Sequence, residues 1–161
     1  MNSYTTLKTP QLGELVLVAN ETHLLGIYFA GRDHVPAGLK DWKRDPEHPV
    51  LKKTARELAD FLAGKRRDFT VPLQAGGTEF QRDIWKQLAR IPFGQTITYG
   101  ELSRRAGRPE AVRAAGAACG QNPHAIIVPC HRVIAKSGSL QGFAGGLDTK
   151  RRLLAIEGIG A

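Results

Sequence analysis

Cysteine is scarce in this chain. Its 161 residues hold two, Cys119 and Cys130, and neither belongs to a CxxC pair or a Cys/His cluster. That spacing argues against a structural zinc site. No apolar run is long enough to span a bilayer. The N-terminus, MNSYTTLKTPQLGEL, lacks the basic start and apolar core of a secretory signal. The expected location is therefore the cytoplasm, where both thiols stay reduced. Acidic side chains are also in short supply, 15 against 23 Lys and Arg, which leaves a formal net charge of +8. The deficit is local. Residues 1–76 carry 11 basic and 9 acidic side chains, a net of +2, whereas residues 77–161 carry 12 and 6, a net of +6. A basic half suits a polyanionic partner, nucleic acid first among them, but it suits a solvated surface equally well.

The first half reads as a small antiparallel sheet with one helix. Residues 4–8, 14–19 and 24–29 are short, rich in β-branched or aromatic side chains, and punctuated by Pro10, Gly13, Asn20 and Gly31. Residues 31–48 are polar and hold Pro36 and Pro46, so a loop is expected there. A helix is expected from Pro49 to Leu62, on the spacing of Val50, Leu51, Ala55, Leu58, Phe61 and Leu62, with Gly64 ending it. Residues 68–73 suit one further strand. The segment QAGGT, residues 74–78, is the one break that reads as a linker, so the expected domains are 1–76 and 77–161.

The second half reads as mostly helical, which makes the chain α+β. Thr78 and Gln81 suit a capping box ahead of an apolar face formed by Phe80, Ile84, Trp85 and Leu88. Thr98 suits the cap of a helix reaching Ala106. Gly107 and Arg108 suit a tight turn, and Pro109 suits the first position of a second helix, PEAVRAAGAAC. Two short helices joined in this way match a helix-turn-helix, and ordinary helical hairpins look the same. The second helix is nearly all alanine around one arginine, Arg113. Such a helix buries little apolar area and can lie close against a flat surface.

AIIVP, residues 125–129, reads as a buried strand that Pro129 ends, with Cys130 and His131 directly after it. A thiolate is a good nucleophile, and His131 could take the proton, directly or through water. A buried cysteine beside a structural histidine fits those residues as well. The glycine-rich stretch SGSLQGFAGG lacks the Lys-Ser/Thr of a phosphate-binding loop. A last helix is expected from Asp148 to Ile156, capped at Gly158.

Taken together, IIVPCHRVIAKSG, the GFAGG loop and the final LLAIEG resemble the active-site region of the O6-alkylguanine-DNA alkyltransferases, also called methylated-DNA–protein-cysteine methyltransferases. The likeness runs upstream through FQRDIWKQL, IPFGQTITYGEL and RPEAVRAAGAACGQNP, so it covers about residues 77–158. The first half resembles the family only in size and in its GELVLVA strand.

The resemblance implies DNA repair by irreversible transfer of one alkyl group from O6-alkylguanine, with O4-alkylthymine a further candidate substrate, to Cys130. It implies that His131 is linked through a water to Glu157, a relay that raises the thiolate fraction. Asn122 would tie the recognition helix to the site, and Tyr99 would give a proton or hydrogen bond to the departing purine. Arg113 would fill the stack in place of the extruded nucleotide, with Thr98, Ala111, Ala114 and Arg132 also at the DNA. Backbone groups of Cys130 and Val133 and the amide of Ala144 would line the guanine pocket. Phe143 stands where the family often has tyrosine, keeping the stacking face without the hydroxyl. The implied partner is double-stranded DNA, bound by its minor groove to a monomer that uses no metal or cofactor. The rival readings are a cysteine hydrolase and a non-catalytic DNA-binding or lesion-flagging protein.

Overall fold

The computed structural model describes residues 2–31, 35–138, 143 and 145–160. The chain forms two compact units, Met1–Ala75 and Gly76–Ala161.

In the first unit, strands β1 (Ser3–Thr9) and β2 (Gly13–Ala19) form an antiparallel hairpin. Its turn is held by Thr9, whose hydroxyl donates to the Gly13 carbonyl at 2.8 Å and accepts from the Leu12 amide at 2.9 Å. Gly13, with φ +77°, supplies the left-handed backbone that this turn needs. Strand β3 (Leu24–Phe29) pairs with the other edge of β2. Strand β2 is an inner strand of the sheet, and Leu15, Val16, Leu17, Val18 and Ala19 are all buried, a continuous apolar run.

Helix α1 (Pro49–Leu62) packs on this sheet through Leu51, Leu58 and Phe61, each fully buried. Its start is fixed by Pro49 at the first position and by the His48 ring, which accepts from the Val50 amide at 3.2 Å. Two expectations fail here. The segment read as a loop contains a 3-10 turn, Ala37–Asp41, and a two-residue strand β4 (Lys43–Arg44) parallel to the start of β1. Residues 68–73 make only one isolated bridge, Leu73 to Leu24. Pro72 has no amide hydrogen, so the ladder cannot extend through it.

The second unit opens on α2 (Glu79–Leu88). The capping box is formed on both sides, the Gln81 amide to the Thr78 hydroxyl at 3.1 Å and the Thr78 amide to the Gln81 side chain at 2.9 Å. Ile84, Trp85 and Leu88 face inward, and the Trp85 indole donates to the Ala118 carbonyl at 2.8 Å. A short strand, β5 (Ile97–Thr98), leads into α3 (Tyr99–Arg105). Helix α4 is Val112–Gly120. It begins three residues later than Pro109, because the Ala111 amide bonds the Arg108 carbonyl at 2.9 Å and closes a separate turn over residues 108–111. Strand β6 (Val133–Ile134) pairs in parallel with β5, and α5 (Leu147–Ile156) ends at Gly158 with φ +80°.

Residues 125–129 are buried as expected, apart from a half-buried Ile127, but they are not a strand. They fold into a tight turn in which the Val128 amide bonds the His124 carbonyl at 2.9 Å and the Ile127 amide bonds the Ala125 carbonyl at 2.9 Å. Ile126 adopts φ +77°. A β-branched residue in that region costs about 1–3 kcal/mol and persists only where its surroundings over-determine it. The over-determining group is the Asn122 side chain. It donates to the Val128 carbonyl at 2.7 Å and accepts from the His124 amide at 3.0 Å, bracketing the turn.

Candidate active site

Cys130 opens a 3-10 turn, Cys130–Arg132, directly after this bracketed segment. The pairing of Ile97 with Val133 and of Thr98 with Ile134 holds that turn near the start of α3. Four elements therefore converge on the Cys130 sulfur. Tyr99 comes from α3, Cys119 from α4, Asn122 from the turn after α4, and Lys150 from α5. Gly116 faces the Tyr99 ring, and an added Cβ would lie 3.7 Å from the ring edge, an ordinary contact, so the ring packs against α4 at this position.

The electrostatics favour a thiolate at Cys130. A hydrogen bond from the Cys119 thiol is the largest influence lowering its pKa. Burial opposes that effect, and the Asn122 amide and the Lys150 ammonium add to it. The converse holds for Cys119, which is driven well above the ordinary thiol range by its bond to Cys130, by burial and by the Cys130 charge. Lys150 is fully buried, and its Nζ donates to the Val133 carbonyl at 2.7 Å. Burial lowers its pKa, while negative charge on the Cys119–Cys130 pair works the other way. Burial, then the charges of Cys119 and Cys130, push the Tyr99 phenol up to about 12, so it remains a hydrogen donor at neutral pH.

Behind Cys130 lies a buried ion network. Glu157 Oε2 is 2.6 Å from His131 Nε2, and its Oε1 accepts from Arg132 Nε at 2.8 Å and from the Gly94 amide at 2.9 Å. Burial alone would raise this carboxyl, but the bonds from His131, Arg132 and Gly94 hold it at about 2. His131 is completely buried, which lowers its pKa despite the carboxylate beside it. A neutral ring facing an ionised carboxylate carries its hydrogen on Nε2, leaving a lone pair on Nδ1. That Nδ1 is buried and has no partner among the described residues. The contact between His131 and Glu157 is direct, which corrects the expected water link between them.

Arg132 requires a second correction. It is 7 % exposed, and its guanidinium holds Glu157 and donates to the Ile91 carbonyl at 2.6 Å, with the Phe93 ring 5.8 Å away. Committed inside in this way, it positions Glu157 and offers little surface to DNA. The remaining expected DNA contacts lie on the helix pair. Arg113 and Ala114 are exposed on α4, and Ala111 is half-buried at its start. Thr98 is half-buried, and its hydroxyl caps α3 by accepting from the Glu101 amide at 3.1 Å. Val133 is fully buried, and Phe143 is half-buried with its carbonyl accepting from the Gly146 amide at 2.8 Å. Ala144 lies outside the described residues.

Sequence reasoning missed Lys150, Gly94 and Ile91. Lys150 had a signal. Positions 150, 153, 154 and 157 share one helical face with Leu153, Leu154 and Glu157, all of them buried. Among the described residues no group of three His, Cys, Asp or Glu side chains is arranged to hold a metal ion. No helix among them is long and apolar enough to cross a membrane.

Two family models match the chain. One, 6-O-methylguanine DNA methyltransferase, ribonuclease-like domain, matches residues 2–75, and the other, 6-O-methylguanine DNA methyltransferase, DNA binding domain, matches residues 79–159. The constitutive methylated-DNA–protein-cysteine methyltransferase of Bacillus subtilis is 40% identical over 166 residues, spanning 99% of this chain and 97% of that protein. The crystal structure of the Mycobacterium tuberculosis O6-methylguanine methyltransferase superposes with a TM-score of 0.89 at 40% identity, covering 98% of this chain and 93% of that one. The same organism's OGT in complex with DNA superposes at 0.87 and 39% identity, covering 96% and 92%.

Proposed function

The chain belongs to the 6-O-methylguanine DNA methyltransferase family, and we propose that it repairs alkylated double-stranded DNA by taking the alkyl group of O6-alkylguanine onto Cys130. The observation that carries this reading is the Cys130 sulfur itself. It is buried, with the Cys119 thiol, the Asn122 amide and the Lys150 ammonium lowering its pKa against the effect of burial.

In this scheme the Cys130 proton leaves for the Nδ1 lone pair of His131, directly or through water. Glu157 stabilises the ring as it gains charge, and Arg132 and Gly94 hold Glu157 in place. The thiolate attacks the alkyl carbon in line. A carbon–sulfur bond forms as the bond from that carbon to O6 breaks, and its electron pair passes to the guanine. Tyr99 supports the departing purine as a hydrogen-bond donor, which its raised pKa permits at neutral pH. The product is a thioether with no carbonyl for water to attack, so one chain repairs one lesion.

A base inside a duplex cannot reach a buried sulfur, so the nucleotide is turned out at a cost of a few kcal/mol. Helix α4 suits the minor groove because its exposed face is small, and Arg113 fills the vacated place in the stack. Val133, Phe143 and Ala144 line the pocket in this reading. The protein acts as a monomer in the cytoplasm, where its two free cysteines stay reduced.

Intact mass measurement after exposure to methylated duplex DNA tests the scheme. The expected result is a gain of one methyl group per chain, mapped to Cys130, with no further turnover in excess substrate. Repeated turnover would favour a cysteine hydrolase. An unmodified chain that still binds DNA would favour a non-catalytic regulator.

A further inference from the structure

Cys119 is the nucleophilic side chain that this scheme leaves unused. It lies in the last turn of α4, 5 % exposed, with its Sγ 3.8 Å from the Cys130 carbonyl oxygen. Helix α4 buries three residues, Ala115, Ala118 and Cys119, and of their side chains only that of Cys119 has a hydrogen to give. Its neighbours at the site are more firmly committed. Asn122 Nδ2 holds the Val128 carbonyl at 2.7 Å, and Lys150 Nζ holds the Val133 carbonyl at the same distance. The Cys119 contact is long and weak, so rotation about one bond re-aims its hydrogen at little cost.

We propose that Cys119 is a positioning residue for the transfer, its S–H resting on the Cys130 carbonyl while Cys130 is a thiol and turning onto the Cys130 sulfur when that sulfur ionises. Cys119 keeps its own proton throughout, and the Cys130 proton leaves by the path described above. Once Cys130 is a thioether, its sulfur is a poor acceptor and the Cys119 hydrogen returns to the carbonyl. The charge beside Cys119 disfavours its own ionisation, so the pair holds one negative charge and Cys130 carries it. The alanine helix that lies on DNA therefore also supplies a donor to the nucleophile.

The inference rests on Cys130 being the acceptor. Single-turnover transfer from saturating methylated duplex DNA, followed across pH, separates the two. The groups that face the Cys130 sulfur and can shape that profile are Tyr99, Cys119 and Lys150, with His131 next in the chain. Cys119→Val loses the donor and is larger by about one methyl group. Its midpoint should rise by about one pH unit, which is a rate about tenfold lower at neutral pH that recovers in alkaline solution. Cys119→Ser keeps a hydroxyl donor and should fall between the two, and Cys119→Ala should follow Val if it folds. A wild-type midpoint in the Val variant, or a loss equal at every pH, overturns the role of Cys119. Failure of the wild-type protein to gain the alkyl group on Cys130 overturns the underlying scheme instead.

Discussion

A carboxylate that accepts from His131, Arg132 and the Gly94 amide at once is costly to protonate, because each bond depends on its charge. Glu157 is ionised down to about pH 2 in the folded chain, against 4.5 when unperturbed. A depressed carboxyl pKa adds stability above the unfolded value, and that contribution disappears as pH falls from 4.5 toward 2. His131 acts in the same sense at higher pH. Its folded pKa is lowered from 6.5, so the unfolded chain gains a proton first and stability begins to drop as pH falls below that value. Glu157→Gln leaves the Arg132 guanidinium buried without its counter-charge, and breaking such a pair costs about 3–5 kcal/mol. Urea unfolding should show that deficit in full at pH 7 and a narrowing gap between wild type and variant below about pH 4.5. A gap that is constant from pH 7 to pH 3 would mean that the carboxylate charge is not what stabilises the network.

Among the elements, α4 shows how much chemistry a helix of small side chains can carry. Its exposed face offers Arg113 and Ala114, its packing face admits the Tyr99 ring at Gly116, and its last turn delivers Cys119. If Arg113 replaces the extruded nucleotide, its loss matters only where there is a stack to fill. Arg113→Ala should slow repair of methylated duplex DNA by at least about tenfold, in line with a contact worth a few kcal/mol. Reaction with the free alkylated base should be nearly unchanged, and equal loss on both substrates would remove Arg113 from that role.

The helices were legible because periodicity and caps are local. Thr78 with Gln81, Thr98, Gly64 and Gly158 each mark an end that the structure places there. The turn at 125–129 was not legible. Its apolar run is buried as a strand's would be, and what bends it is a side chain from outside the run, Asn122. Arg132 was misread for a related reason, since an arginine beside a reactive cysteine gives no local sign that its partner, Glu157, lies 25 residues downstream. β4 is two residues long and pairs with a distant edge, so no pattern could mark it.

At the level of the molecule, charge is divided unevenly between the two units. The net of +6 in residues 77–161 counts Arg132 and Lys150, both of which are buried and engaged in the site. Ten basic side chains of that unit remain exposed. Several of these already have acidic partners, Arg104 and Arg105 with Glu101, Arg108 with Asp83 and Arg151 with Asp148. The cations free to neutralise phosphates are thus fewer than the net charge suggests. Each phosphate neutralised adds about −0.9 to the slope of log affinity against log salt, so three to five contacts give a slope of about −2.7 to −4.5. A protein that must search for lesions in any sequence gains from holding that term constant. Fluorescence anisotropy titrations over a range of salt should therefore give the same slope for methylated and unmethylated duplexes, the two lines differing only in height. A slope beyond about −5.4, the limit for the six exposed cations of this unit outside those ion pairs, would require the paired arginines to abandon their carboxylates on binding. A steeper slope for the methylated duplex alone would mean that turning out the damaged nucleotide recruits additional phosphate contacts.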